Sequence, residues 1–369
     1  MERRTARAAV LRAPRTPFEI RAFDVKPPGA ETVLLRTLCC TICGSDVHAW
    51  TGSRPPTFLP AVIGHEIAGI VEEIGAGVPA AYDGQPLAEG DRVTFGLVAS
   101  CGRCFYCTEA GLPQKCKSLF KYGHTGIDGQ WALTGGLAEY VYLVPRTTVF
   151  RLPEQVSSEV AATAMCAGAT LAHALEGIGG RAHRSILLIG MGMLGLWGLR
   201  LALAQGMDTV LALDVDVDRL AFAQASGATT TLNVAGQSPE AVAAFVRAHT
   251  AGEGADVCVD LTGRPEAVEI GLAALRIGGV FKLVGAVVPT APAPVDPFRL
   301  VTRSLTVAGV HNYHPRHLAA ALRLVEDRAH HEAISRGISK RFPLEAVDEA
   351  FRAAYNREAL RAAVVFDHT

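Results

Sequence analysis

The stretch "SILLIGMGMLGLWGLRLALAQGM", residues 185–207, constrains the fold more than any other. Four apolar residues, Ile186 to Ile189, run into a turn carrying Gly190, Gly192 and Gly195, and the turn opens a helical pattern. The run is long and apolar enough to raise the question of a membrane span. Its glycines and Arg200 suit a buried strand, a tight turn and a helix better. A second strand-like run, "TVLALD", ends on Asp214, 19 residues after Gly195. A G-x-G-x-x-G alone is a weak sign and often only a tight turn, but strand, turn, helix, strand and acid in this order form a dinucleotide-binding fingerprint. Gly190 would allow the turn, Gly192 the approach of a pyrophosphate and Gly195 close packing of helix on strand. The helix start, with Met193 and Leu194, would offer free amide donors and a positive dipole end to phosphate. A carboxylate at Asp214 accepts both ribose hydroxyls of NAD and repels the 2′-phosphate of NADP, so NAD is the expected cofactor.

The alternation continues downstream. Apolar runs "DVCVDL" and "GVFKLVG" are separated by helical patterns such as "SPEAVAAFVRAH", which predicts an α/β doubly wound parallel sheet with buried strands. Up to about residue 153 the texture differs, with short β-rich runs such as "ETVLLRTLCC" and "AVIGHEIAGIVEEIGAG" broken by glycine and proline. An Ala-rich helix from about Ser157 joins the two textures. After "SLTVAGV" the chain adds "HPRHLAAALRLVEDRAH" and "LEAVDEAFRAAYN" as helices and ends on the strand "RAAVVF". At 369 residues two domains are expected. Lys and Arg number 35 against 36 Asp and Glu, so no global field would gather nucleic acid or an anionic membrane surface, and a small-molecule substrate fits better. Arg12 and Arg15 interrupt any secretory apolar segment, which makes a cytoplasmic protein the expectation.

Nine cysteines without a secretory signal point to metal or catalysis rather than disulfides. "CGRCFYCTEAGLPQKC" places Cys101, Cys104, Cys107 and Cys116 within sixteen residues. Four thiolates in this spacing suit a closed tetrahedral zinc site, with an iron–sulfur cluster or a disulfide pair as competing readings. A nucleic-acid-gripping zinc ribbon is disfavoured by the balanced charge. "CCTICGSDVH" pairs Cys40 with Cys43 as a C-x-x-C, but a redox dithiol normally opens a helix, and this one ends a β-rich run. "GHE" offers His65 and Glu66, and "AMCAGAT" offers Cys166. Cys43, His65 and Cys166 together are the two-cysteine, one-histidine set of a catalytic zinc with an open fourth position. A packed core cysteine at 166 and a structural histidine at 65 are the competing readings.

"CGSDVH", "GHE", the four-cysteine lobe, "AMCAGAT" and "GMGMLG" with Asp214 occur in the order of the zinc-dependent medium-chain alcohol dehydrogenases, which the chain resembles over essentially its whole length. The resemblance implies a GroES-like β-rich catalytic domain (residues 1–160 and 308–369, with a structural zinc lobe at about 98–120) interrupted by a Rossmann domain (161–307). It implies two zinc ions per chain and NAD, and a homodimer or homotetramer. Cys43, His65 and Cys166 would be the catalytic zinc ligands, with Glu66 an alternate or neighbouring ligand and Asp46 the carboxylate that orients the histidine. Ser45 and His48 match the relay through which the substrate alcohol loses its proton to solvent. Arg219 matches a basic residue beside the adenosine ribose, and Arg361 a C-terminal arginine that reaches the pyrophosphate.

The implied activity is hydride transfer between a primary or secondary alcohol and NAD, giving aldehyde or ketone. A zinc-independent quinone reductase relative, or a non-catalytic binding protein of the same fold, is the alternative. Gly44 stands where classical members often carry a basic residue, and the last lobe spacing is eight residues rather than the commoner seven. "KYGH" and "HNYHPRHL" resemble features of a subgroup associated with phosphonate metabolism, in which Lys121, His124 and His311 would recognise an anionic or polyol substrate. Trp50 and Leu97 are expected to line the substrate pocket.

Overall fold

The computed structural model describes residues 4–54, 58–129, 131–179 and 183–367. It divides into two units, one running to Ala169 and resuming from Asn312, the other spanning Thr170–His311. The change of texture in the sequence puts these boundaries near 160 and 308.

The first unit is built around a seven-stranded sheet. Its central strand, Val33–Ile42, lies antiparallel to Glu66–Ile74 on one side and to Arg361–Val365 on the other. Neighbours on both edges and packing on both faces account for its nearly unbroken apolar run, in which Val33, Leu34, Leu35, Cys39 and Cys40 are all buried. The register decides what the strand end gathers. Thr41 stands opposite Glu66 on one neighbour and Ala363 on the other, so Cys43, Glu66 and Arg361 meet at one end of the sheet. A smaller sheet pairs Thr5–Leu11 with Glu19–Asp24 and Ala61–Val62.

The second unit carries six parallel strands in the order Thr230–Asn233, Thr209–Asp214, Ser185–Ile189, Ala255–Asp260, Leu275–Leu283 and Thr306–Gly309. This is the doubly wound Rossmann order with the first strand at the middle. Residues 185–207 resolve into the buried strand Ser185–Ile189 and the helix Met193–Ala204. Among the described residues no helix is long and apolar enough to cross a membrane.

One expectation is corrected. "HPRHLAAALRLVEDRAH" is two helices, Pro315–Leu324 and Arg328–Arg336, rather than one. The break is local chemistry: the Asp327 carboxylate accepts hydrogen bonds from the Ala329 and His330 backbone N–H groups and so starts a new helix.

Candidate active site

The central strand ends at Ile42, and Cys43 caps the helix Gly44–Thr51 that follows. Asp46, in the first turn, is buried and uses both oxygens: Oδ2 accepts from the Cys43 backbone N–H at 2.9 Å and Oδ1 pairs with His65 Nδ1 at 2.8 Å. One carboxylate therefore starts the helix and holds the imidazole with Nε2 turned to the cysteines. Cys166 arrives on a single π-helical turn, Ala164–Gly168, the kind of irregularity that concentrates at functional sites. Its Sγ lies 3.9 Å from that of Cys43, and the ligand atoms of Cys43, His65, Glu66 and Cys166 all lie within 4.8 Å of one another. The Ser45 hydroxyl stands against two of them, 3.6 Å from Cys43 Sγ and 3.4 Å from His65 Nε2.

Glu66 is completely buried beside this set. Its Oε2 accepts from the Thr41 hydroxyl, while Oε1 makes no hydrogen bond and faces Arg361 Nη2 at 3.4 Å. Arg361 donates from Nη1 to the Ile42 carbonyl at 2.8 Å. The arginine expected at a pyrophosphate is thus placed on the carboxylate of the cysteine–histidine cluster.

The electrostatics is that of a site built for a cation. The hydrogen bond from Cys166, aided by the Arg361 charge, holds the Cys43 thiol well below its usual range, while Cys166 keeps its proton and is pushed up. Burial opposes a charge on His65, yet Asp46 and Cys43 together carry it to about 10. Burial raises Glu66 to about 8 against the pull of Arg361. Two thiols, an imidazole nitrogen and a buried carboxylate oxygen without a hydrogen bond, packed this closely, fit zinc.

The four cysteines of the lobe also converge. Cys101, Cys104, Cys107 and Cys116 offer sulfurs within 4.8 Å of one another, with Cys104 Sγ 3.6 Å from Cys107 Sγ and 3.9 Å from Cys116 Sγ. Zinc–sulfur bonds of about 2.3 Å in a tetrahedron put sulfurs about 3.8 Å apart, whereas a disulfide needs about 2.05 Å. Backbone N–H groups of Cys101 and Ser118 already point at Cys116 Sγ, at 3.2 and 3.3 Å. The Lys117 and Cys107 backbone, working against burial, brings Cys104 down to about 6. The donor set fits a closed zinc site.

In the second unit each glycine of the turn has a separate reason. Gly190 has φ of 102°, the left-handed region, and a Cβ on Gly195 would meet the Gly190 carbonyl at 2.4 Å. Gly192 needs neither excuse: its φ is −77°, and a Cβ there would find only Arg219 Nη1, at 4.0 Å. Room of this kind beside the uncapped start of the helix carrying Met193 and Leu194 fits a phosphate group. Asp214 closes the turn by accepting from the Met191 backbone N–H at 2.6 Å and from that of Val215 at 2.7 Å.

Other expected residues divide. Leu97 is buried, its N–H donating to the Tyr313 hydroxyl at 3.1 Å. The Trp50 ring packs against Phe351 and Tyr355, at 6.0 and 5.9 Å, because the C-terminal helix Val347–Tyr355 lies against its own helix. His124 is at the cluster, its ring 5.7 Å from that of His65. His48 is partly buried, which lowers its pKa. His311 belongs to the second unit.

Comparison with known proteins identifies the family. Residues 29–154 match the alcohol dehydrogenase GroES-like domain, and residues 194–327 the zinc-binding dehydrogenase domain. An alcohol dehydrogenase of Moraxella sp. (strain TAE123) is 30% identical over 82% of this chain and 83% of its own. The chain belongs to the zinc-dependent medium-chain dehydrogenase family. Among other members, the L-threonine 3-dehydrogenase of Bacillus subtilis (strain 168) is 30% identical over 86% of each chain. A solved alcohol dehydrogenase of Thermotoga maritima is 29% identical, with a TM-score of 0.93 over 98% of this chain and 99% of that one. The homologues are dehydrogenases, so this family member is an oxidoreductase by descent.

Three residues of the site escape sequence reasoning in this family member. Thr41 serves Glu66, Arg54 stands near His48 and His124, and Tyr313 donates its hydroxyl proton to the Met165 carbonyl beside Cys166. Thr41 carries a faint signal, being near the end of the strand that leads into Cys43, two residues on. Arg54 and Tyr313 carry none, since nothing local ties them to the motifs.

Proposed function

We propose that the protein is an NAD-dependent zinc alcohol dehydrogenase that oxidises a primary or secondary alcohol reversibly to the aldehyde or ketone. The observation that carries this reading is the Ser45 hydroxyl lying 3.6 Å from Cys43 Sγ and 3.4 Å from His65 Nε2, a proton acceptor set against the prospective metal ligands. Zinc held by Cys43, His65 and Cys166, with Glu66 beside them, would lower the pKa of a substrate hydroxyl. NAD would accept the hydride, so that alcohol and NAD become carbonyl, NADH and one proton.

The chain's own residues do the rest. Asp46 fixes the tautomer and orientation of His65. Ser45 takes the hydroxyl proton, and His48, kept neutral at physiological pH by its burial, passes it to solvent. A second zinc on Cys101, Cys104, Cys107 and Cys116 would hold its loop in shape. The nucleotide turn would bind pyrophosphate at Gly192 and the helix start, and Asp214 would select NAD. A protein from Sinorhizobium meliloti 1021, 27% identical with a TM-score of 0.83, is solved bound to NADP, which makes cofactor choice the detail most worth measuring.

The test is metal content and turnover together. Zinc-loaded protein should hold about two zinc ions per chain and reduce NAD in the presence of some alcohol. Failure with every alcohol, in protein holding both metals, would overturn the reading.

A further inference from the structure

The turn that delivers Cys166 is held from outside its own helix by the residue before it. Met165 is fully buried and bonds to two distant parts of the chain: its Sδ accepts from the Ile67 backbone N–H at 3.3 Å, and its carbonyl accepts from the Tyr313 hydroxyl. Ile67 follows Glu66 on the strand Glu66–Ile74, so the first bond ties the turn to the segment that supplies His65 and Glu66. The second bond reaches Tyr313, only 3% exposed, whose oxygen also accepts from the Leu97 N–H at 3.1 Å.

One hydroxyl therefore joins three segments. Leu97 precedes the strand Val98–Ala99, which pairs with Phe120–Lys121, and the four cysteines of the lobe lie between these two strands in the chain. Tyr313 is placed by its own backbone. Asn312, just before it, has φ of 56°, in the left-handed region that asparagine tolerates. The helix Pro315–Leu324 starts two residues later, its end capped by His314 Nδ1 accepting from the Arg316 N–H at 3.2 Å.

Cys166 needs such support because the π-helical turn Ala164–Gly168 is a rare arrangement that competes with ordinary α geometry. In an α-helix one residue corresponds to about 100° of rotation about the axis. Slippage even part of the way would carry Cys166 Sγ off the 3.9 Å it keeps from Cys43 Sγ.

We infer that Tyr313 is a positioning residue for the metal site: its hydroxyl, acting through Met165, fixes the turn so that the Cys166 sulfur stays in register with Cys43 and His65. This rests on the zinc dehydrogenase reading for the metal itself and adds a residue that sets the geometry of its donors.

The experiment uses Tyr313→Phe, which removes the hydroxyl and keeps the ring, in the full-length protein. Chelator competition should show the affinity of one zinc reduced about tenfold, the other being unaffected. After cobalt replaces zinc, the visible ligand-field bands should shift, since they report the arrangement of donors around the metal. In a Cys43→Ala background, where that site has lost a ligand and its metal, Tyr313→Phe should leave the remaining cobalt spectrum unmoved. Met165→Leu, which deletes the sulfur acceptor, should move affinity and spectrum in the same direction, and it decides the point alone if Tyr313→Phe does not fold.

Metal affinity and cobalt spectrum unmoved in the variants overturn the inference and leave the dehydrogenase reading standing, even where the unfolding midpoint falls, because lost packing alone does not reach the metal. A spectral change that persists in the Cys43→Ala background also overturns it, by assigning Tyr313 to the four-cysteine lobe. Every readout is of bound metal, so a protein that takes both ions and oxidises no alcohol overturns the dehydrogenase reading without touching this one.

Discussion

The Asp46 carboxylate accepts a hydrogen bond from the Cys43 backbone at 2.9 Å and pairs with His65 Nδ1 at 2.8 Å, joining two of the candidate zinc ligands through one buried side chain. Asp46→Asn keeps the shape and loses the charge. A carboxylate behind a zinc histidine is worth roughly 10- to 100-fold in metal affinity or activity. Competition against a chelator should show that loss for one zinc, the other being unaffected.

The two thiols of the C-x-x-C should behave differently. Cys40 is buried, with its pKa raised well above the usual range by burial, whereas Cys43 is lowered by its hydrogen bond from Cys166. Cys43→Ala should remove one zinc and essentially all alcohol oxidation. Cys40→Ala should retain both metals and most activity, at a packing cost of about 1 kcal/mol in thermal or urea unfolding.

Arg361 and Glu66 are a buried pair, only 6% and 0% exposed. Breaking such a pair by removing one partner costs about 3–5 kcal/mol, because the other is left uncompensated. With Glu66 raised to about 8, Arg361→Met should show a loss of that order in unfolding above that pH and a smaller one where the carboxyl is protonated. The double variant Arg361→Met with Glu66→Gln should recover part of it, and simple additivity would refute the coupling.

Asp214 binds the Met191 and Val215 backbone N–H groups at 2.6 and 2.7 Å, so its removal acts twice. Asp214→Ala should loosen the glycine turn and remove the repulsion toward a 2′-phosphate. NAD affinity should fall about tenfold or more, and the NAD-to-NADP preference should narrow. Titration of both nucleotides by fluorescence quenching measures each directly.

Much of the nucleotide half was legible because its information is local. Gly190, Gly192, Gly195 and Asp214 lie in one strand–turn–helix–strand unit, where spacing alone implies geometry. The four-cysteine lobe was legible for the same reason. The packing of Trp50 on Phe351 and Tyr355 was not legible, since the helix that carries them, Val347–Tyr355, lies some three hundred residues on in the chain. Arg54 and Tyr313 were invisible because each reaches the site through an interaction that no periodicity encodes.

The sequence by itself determined the residue types available: two sets of cysteine and histidine side chains suited to a metal, a glycine turn opening a helix, and balanced charge. Only the tertiary structure decided how the donors are grouped and supported. The register of Val33–Ile42 against Glu66–Ile74 and Arg361–Val365 brings residues from three distant segments to one strand end. It also gives Arg361 to Glu66. The physical reason is that a ligand's identity is a property of one side chain, whereas its orientation, its charge and its counter-ion are properties of whatever the fold packs around it.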